Sequence, residues 1–407
     1  MESVSHVIVV GGGPCGSFTA LNLAKQGVKV TVFEEHDEIG VPSHCAGHLS
    51  ISGLKRLGLY PLPTNVVENI FYGAVFHSSI GKEFHVRFSS PITCVVNRVF
   101  FDELIAQMAE KTGAQYFLNT RVDSLMIEDG AVKGVVVKHE DRVDRFAAKM
   151  TVDAEGIVSR LSRQAGLPML NRSMLLNGVE AEVENVKDVE ENIVEVFLGK
   201  KYAPHFFAWL IPKRDGKAKV GLAAKTENPK VFLQKFMLKH PVASKKLRSA
   251  RMLHTTFHPL TLGGPIRKTY SNGFLAVGDV ASHVKPTTGG GVVLGLTCAR
   301  TAAEVIREAS LKDDFSSDFL STYQKKCEDI LGFDVEVMLR FRKLLDTFSD
   351  KQVDDAIKFC ARIGLDKTLL NFGDIDFQGQ SLLHVLRTPR TWMTLLYLFY
   401  LYLSANP

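Results

Sequence analysis

The chain has six cysteines, at positions 15, 45, 94, 298, 327 and 360, and no pair of them has Cys-x-x-Cys spacing. That argues against a zinc site and against dithiol redox chemistry, and scattered free thiols suit a reducing cytosol better than a disulfide framework. A dense Lys/Arg stripe is missing too. The net charge is only +5, which allows an anionic substrate or a membrane surface but gives no reason to expect nucleic acid. No charged leader and cleavable apolar segment precedes the strand pattern Val7-Ile8-Val9-Val10, so secretion is not expected and a cytoplasmic location is. Repeats, low-complexity tracts and long linkers are also lacking. What is present is ordinary globular composition, 45% hydrophobic and 23% charged, in 407 residues, enough for two or three packed subdomains.

Local patterning places these residues in an α/β chain. His6 to Val10 reads as a buried strand, Gly11 to Gly16 as a tight turn, Ser17 to Gln26 as a helix and Val28 to Glu34 as a second strand, a βαβ unit. Alternating residues from about Val66 to Val99 predict strands of a second sheet, and Phe101 to Lys111 a helix. Tyr116 to Lys138 reads as strands joined at Asp129-Gly130, a dipeptide that accepts the positive φ angles of a hairpin turn. Thr151 to Ala154 returns to the first sheet, and Gly178 to Ala224 is again strand-rich. Phe274 to Val277 is a further buried strand, then come a Gly-rich turn, a helix from about Val292 to Ala309, and mostly helix from Asp318 onward.

Gly11-x-Gly13-x-x-Gly16 lies between the first strand and its helix, with Glu34 ending the next strand. Such glycines serve a tight turn, close backbone approach to a pyrophosphate and close helix packing, while the helix N-terminus offers free N–H groups and a positive dipole end. An acid about 20 positions on accepts the adenosine ribose hydroxyls, and Glu34 fills that place with Glu35 as its competitor. A dinucleotide site alone does not choose between NAD and FAD. The choice comes from Gly273-Phe274-Leu275-Ala276-Val277-Gly278-Asp279, a strand ending in Gly-Asp, followed by Pro286 and Gly289-Gly290-Gly291 before a helix. Asp279 is placed to bond a ribityl chain. Gly290, Gly291 and Val292 open a helix whose N–H groups can face the N1/O2 edge of a flavin, where charge gathers on reduction. The two motifs together indicate FAD.

Further blocks, Arg98 ahead of Phe101-Asp102-Glu103-Leu104 and Asp153-Ala154-Glu155-Gly156 with Ser159, resemble the hydroxylase-type two-domain flavoproteins. Pro42-Ser43-His44-Cys45-Ala46-Gly47 resembles the Pro-x-x-Cys-x-Gly loop of the geranylgeranyl reductases, and the archaeal phospholipid-acting members resemble the chain most. Phe207-Ala208-Trp209-Leu210-Ile211-Pro212 with Gly221-Leu222-Ala223 is similar to that family's Tyr-x-Trp-x-Phe-Pro…Gly-x-Gly prenyl motif. It departs at Phe207, Ile211 and Ala223, all of which stay apolar or small.

The resemblance implies a Rossmann-like FAD-binding domain over 1–65, 98–175 and 265–310, a β-sheet substrate domain over 66–97 and 176–264, and a helical region over 311–407. It also implies FAD contacts at Cys15, Arg98, Val122 through its backbone near the adenine, the Cys45-Ala46-Gly47 loop, Gly291 and Val292. Prenyl-chain contacts are implied at Phe207, Trp209, Pro212 and Gly221.

The chemistry so implied is hydride delivery to an isolated alkene plus a proton, with positioning rather than carbonyl polarisation doing the catalysis. Cys45 is the candidate catalytic residue, helping protonation or shaping the site, against a plain reading as a small buried hydrophobe. His44, His48 and His283 read as structural histidines, with His283 the outsider for proton delivery. Lys213 and Arg214 suit a solvated turn better than a substrate phosphate. The electron donor is left open between NAD(P)H and a ferredoxin, since no second complete dinucleotide motif is found. The apolar run Trp392 to Leu403, with Arg387 and Arg390 ahead of it, is too short to span a bilayer. It suits peripheral membrane contact, closure of a hydrophobic tunnel or a core helix. Two rival functions stand beside the reductase. One is a flavin hydroxylase or halogenase, whose Trp-x-Trp-x-Ile-Pro motif is one residue from Phe207-x-Trp209-x-Ile211-Pro212. The other is a non-catalytic prenyl-lipid escort protein.

Overall fold

A computed structural model describes residues 6–139, 142–226, 228–370, 374–386 and 388–405. Arg387, noted above, lies outside the described residues. The chain forms two units, each assembled from separated stretches: 1–43, 98–174 and 261–335 make the first, and 44–97, 175–260 and 336–407 the second. This differs from the expected threefold division. Residues 44–65 group with the second unit, 311–335 with the first, and 336–407 join the second rather than standing alone.

In the first unit, the strands Val7–Val10, Val30–Phe33, Met150–Asp153, Phe274–Ala276 and Gln115–Phe117 form a parallel sheet, with Tyr270–Ser271 added antiparallel at one edge. Val7–Val10 and Val30–Phe33 are buried throughout. That is why they read as unbroken apolar runs rather than as alternation. The helices Pro14–Lys25, Arg98–Lys111 and Val292–Lys312 pack together, so Arg98 opens its helix rather than preceding it. Val122–Glu128, Ala131–His139 and Arg142–Ala147 form a separate three-stranded meander. Its first turn holds Asp129 at φ 48 and Gly130 at φ 73, the two positive angles its sequence anticipates. Ile8, Phe33, Val135 and Phe274 share one buried core between sheet and meander.

The second unit is built on a seven-stranded sheet in the order Arg251–Thr261, Leu175–Glu184, Ala218–Ala224, Phe207–Pro212, Ile193–Leu198, Gly73–His77, Glu83–Arg87. The Val66 to Val99 stretch, expected in one sheet, divides. Gly73–His77 and Glu83–Arg87 extend the large sheet, whereas Val67–Phe71 and Thr93–Val96 pair with His48–Ser50 in a small one. Ala208, Leu210, Val220 and Leu222 pack with Leu233 and Phe236 of the helix Pro229–Lys239, so that face of the large sheet is filled. The opposite face carries Phe207, Trp209 and Ile211 by the alternation of a strand.

Candidate functional site

In the first unit the glycines of the opening motif divide by role. Gly11 has φ +100, and a methyl group on it would sit 2.4 Å from the Ala154 carbonyl oxygen. One on Gly16 would sit 1.9 Å from the Gly11 carbonyl oxygen. Those two let the turn and helix close on one another. A methyl group on Gly13 would meet no protein atom within 4 Å, so its open side is the place a phosphate can approach. The helix Pro14–Lys25 starts with proline and has neither a side-chain cap nor an acid in its first turn. Its N–H groups and positive end are therefore left to a ligand anion.

The acid that reaches this turn is Glu34, not Glu35. Glu34 is buried, its Oε2 accepts from the Gly12 N–H at 2.7 Å, and its Oε1 accepts from the His36 N–H at 3.0 Å. Glu35 faces outward beside Arg121 at 3.8 Å. The Thr120 N–H donates to the Glu34 carbonyl at 2.7 Å, so the chain leading into Val122 runs alongside the acid. Val122 is buried and its own carbonyl accepts from the Arg160 guanidinium.

At the far end of the same unit, Asp279 lies in a short helical turn, Gly278–Ala281, after the strand Phe274–Ala276. Burial pushes its carboxyl above the usual range, with the Arg98 charge opposing. Arg98 holds Asp102 through Nε and Nη2, at 2.9 and 2.8 Å, so one guanidinium serves two buried acids. A methyl group on Gly291 would fall 2.8 Å from Asp279 Oδ1, and one on Gly290 2.8 Å from Lys285 Cε. The helix Val292–Lys312 also starts with no side-chain cap and no acid in its first turn. Two bare helix ends, each glycine-lined with an acid nearby, suit the two poles of FAD, a pyrophosphate at one and the electron-accepting ring edge at the other.

Cys15 packs where methyl groups on Gly278 and Gly295 would lie 3.0 and 2.6 Å from its sulfur. Burial, and then Asp279, raise its thiol pKa, so the thiol stays protonated and fills space between the two motifs. Asp153 accepts from the Glu155 N–H at 3.0 Å and the Ser162 hydroxyl at 2.6 Å. Burial, then the Glu155 charge, push its carboxyl up to about 7. His283 is buried, its Nδ1 accepts from the Gly278 N–H at 3.2 Å, and burial lowers it to about 4. It is a neutral structural histidine near pH 7, which removes it as an imidazolium proton donor.

The second unit carries the Cys45 loop. Cys45 is half-buried and its sulfur accepts from the Gly47 N–H at 3.4 Å. The Gly47 carbonyl takes the Val96 N–H at 2.9 Å. Ala46 packs toward Phe71, Val95, Val194 and Ile211, and its carbonyl accepts from Lys219 Nζ at 3.0 Å. Sequence reasoning missed Lys219. Its ammonium is buried beside Glu68 Oε2 at 3.1 Å and ties the loop to the large sheet. Lys213 belongs to the same network, 2.7 Å from Glu68 and 2.9 Å from Glu182. The solvated turn expected for Lys213 is therefore wrong: two carboxylates hold it. His44 stacks on His258 at 5.5 Å, and His48 Nε2 lies 2.8 Å from the Thr93 hydroxyl, both structural arrangements.

The Phe207–Pro212 strand explains its own motif. Trp209 pairs directly with Gly221 on the neighbouring strand, and Gly221 pairs with Glu180 on the next. The indole lies across Gly221, where a methyl group would fall 2.5 Å from Trp209 Cζ2, and its Nε1–H donates to Glu180 Oε2 at 2.9 Å. Burial raises the Glu180 carboxyl pKa against the opposing charge of Lys219. Phe207 stands edge-on to Trp209 at 6.1 Å and stacks on Phe206 at 4.2 Å. The result is an edge-to-face aromatic pair, half-buried, on the face of the sheet opposite the packed helix, with Pro212 buried at its end opposite Ala218. Ala223 is buried and pairs with Gly178.

Within the C-terminal helix Pro389–Ala405, Tyr397 stacks on Phe359 at 4.1 Å while Trp392, Leu396 and Tyr400 point outward at 56, 65 and 63% exposure. Among the described residues no helix is long and apolar enough to cross a membrane, and no group of His, Cys, Asp or Glu could hold a metal ion.

Residues 4–332 match the family described as FAD binding domain. The digeranylgeranylglycerophospholipid reductase 2 of Methanothermobacter thermautotrophicus is 32% identical over 360 residues, 86% of this chain and 90% of the relative. A solved geranylgeranyl bacteriochlorophyll reductase-like protein from Thermoplasma acidophilum aligns with TM-score 0.85 and 25% identity, over 97% of this chain and 99% of that one. A myxobacterial FAD-dependent chondrochloren halogenase, 18% identical with TM-score 0.68 over 97% of both chains, shares the fold alone.

Proposed function

The chain belongs to the FAD-binding family of the digeranylgeranylglycerophospholipid reductases, and on that premise we propose that it reduces isolated double bonds in geranylgeranyl chains of membrane-lipid precursors. The cofactor is FAD. Bound and reduced, it supplies the hydride for one alkene carbon. The observation that carries the substrate reading is the aromatic pair, Trp209 laid across Gly221 with Phe207 beside it. Both rings are half-buried, and the charged groups beside them are engaged within the protein, Glu180 by the indole and Lys219 by Glu68 and the Ala46 carbonyl. An isolated alkene offers no carbonyl to polarise, so the residues of this chain act by holding the chain and excluding water.

Gly13 with the following helix end, Glu34, Arg98, Asp279 and the Gly290-Gly291-Val292 turn are the residues assigned to FAD, with Cys15 as a spacer between them. Cys45 is the side chain assigned to protonation or to shaping the site. Its sulfur accepts from the Gly47 N–H. The outward apolar side of Pro389–Ala405 supports peripheral contact with the cytoplasmic face of a membrane, which would bring the enzyme to a lipid substrate. Sedimentation with lipid vesicles, lost on Leu396→Glu, checks that contact.

The test of the function is anaerobic incubation of the dithionite-reduced protein with geranylgeranyl lipids, followed by mass spectrometry. Gains in steps of two hydrogens are expected. A fully reducible bound flavin with no mass gain on any such lipid would refute the reductase reading and turn attention to oxygenase and halogenase assays.

A further inference from the structure

Among the described residues of the second unit, Arg342 is a poorly satisfied cation. It sits on the helix Ser317–Thr347, is 5% exposed, and two of its three guanidinium nitrogens, Nε and Nη1, are buried without a hydrogen-bond partner. The third, Nη2, has only a 3.4 Å contact to Asp346 Oδ1. Asp346 is shared besides, with His205 Nδ1 at 3.7 Å from its carboxylate and Lys200 Nζ donating to its carbonyl at 2.7 Å. A buried guanidinium left in this state is destabilising, and an anion that reached Nε and Nη1 would remove that cost.

Its surroundings say which ligand. The guanidinium carbon lies 5.5 Å from the centre of the Phe206 ring, Phe206 stacks on Phe207, and Phe207 meets Trp209. Arg342 therefore stands at the end of the aromatic row assigned to the prenyl chain, with Lys200 and His205 adding positive or protonatable nitrogens there. Guanidinium is the side chain best matched to phosphate oxygens, planar, permanently charged and weakly hydrated. We propose that Arg342 is the anion site for the phosphate of the lipid substrate, with the prenyl chain leading away along Phe207 and Trp209. This rests on the prenyl-lipid reading of the same sheet face and deepens it, since it selects a phospholipid over a neutral prenyl lipid.

Arg342→Met keeps much of the volume and removes the charge. Three results are expected of it. The KM for digeranylgeranylglycerophospholipid rises at least about ten-fold, as loss of a buried charge partner does. The KM for uncharged digeranylgeranylglycerol stays within about two-fold, the charge having no part there. The ligand-free variant melts no lower than the parent, because an unsatisfied charge has gone. Arg342→Lys, which keeps a charge, retains part of the preference for the phospholipid and covers the case in which the Met variant does not fold.

Inorganic phosphate separates the two sources of such an anion. Competition with the phospholipid but not with the neutral lipid supports the headgroup assignment. Phosphate that raises the melting temperature of the parent but not of Arg342→Met, without competing with phospholipid, overturns it in favour of a free-anion site. Equal losses on both lipids, or no loss on either, overturn the proposal. Should the parent reduce neither lipid, the reductase reading fails on its own, while the phosphate melting shift still reports on Arg342.

Discussion

Gly221→Ala is the smallest change that tests whether the aromatic pair of the substrate face is built as described. The added methyl carbon would lie 2.5 and 2.7 Å from two atoms of the Trp209 ring and 2.7 Å from the Val179 carbonyl oxygen. The carbonyl belongs to a paired strand and cannot retreat, so the ring must lift. Overpacking of this kind costs about 1–3 kcal/mol, and losing the indole hydrogen bond to Glu180 adds about 1 kcal/mol, for a total of about 2–4 kcal/mol.

The chain offers a direct reporter, because Trp209 and Trp392 are its only tryptophans. In a Trp392→Phe background, Gly221→Ala should shift the Trp209 emission to the red and lower the urea midpoint by the amount above. Reduction of the geranylgeranyl lipid should slow with it, since the lifted ring occupies the space meant for the chain. Adding Trp209→Phe removes most of the clash, so the double change should cost at least about 1 kcal/mol less than the sum of the single ones. Additive costs, or an unmoved emission maximum, would refute the picture of an indole pinned across Gly221.

The first motif and the buried acid of the first unit give two further tests. Gly13→Ala should leave the apoprotein within about 0.5 kcal/mol of the parent, since the new methyl group meets nothing, yet purify with little FAD. Gly16→Ala, aimed into the Gly11 carbonyl at 1.9 Å, should fail to fold at all. Equal flavin content in Gly13→Ala and the parent would move the pyrophosphate elsewhere. Asp153 has a folded pKa raised to about 7, so the folded state binds its proton more tightly than the unfolded chain. Its contribution is then greatest at low pH and is lost as pH climbs from the ordinary carboxylate value through about 7. Asp153→Asn stays neutral throughout. Relative to the parent it should gain stability between pH 5 and pH 8, by about 1–3 kcal/mol, read from urea midpoints at the two values. A relative loss over that interval would show that the carboxyl is held in its charged form.

What the sequence discloses and what it hides follow one physical distinction. The dinucleotide fold was legible because each of its requirements falls on neighbouring residues: apolar strand, glycines at fixed steps, helix, acid. Val7–Val10, Pro14–Lys25 and Val30–Phe33 accordingly lie where the pattern put them, within the usual error at element ends. The division of the Val66 to Val99 stretch between two sheets was not legible, since alternation predicts a strand but says nothing about its partner.

The same limit governs the site. Glu180, Lys219 and Arg342 were overlooked because each is one charged residue whose partners are brought by other strands or helices, the Ala46 carbonyl to Lys219 and the Trp209 indole to Glu180. Alternation gave no signal for the first two. It sets Glu180 and Lys219 opposite the apolar face of Val179, Ala181, Val220 and Leu222, where a charge reads as solvated. For Arg342 too the helical spacing gives no warning, and only the unpartnered Nε and Nη1 in the folded chain bring it to notice. A motif search finds groups that act through adjacency in sequence. Groups that act through a deficit, buried donors without acceptors, become visible once every neighbour is known.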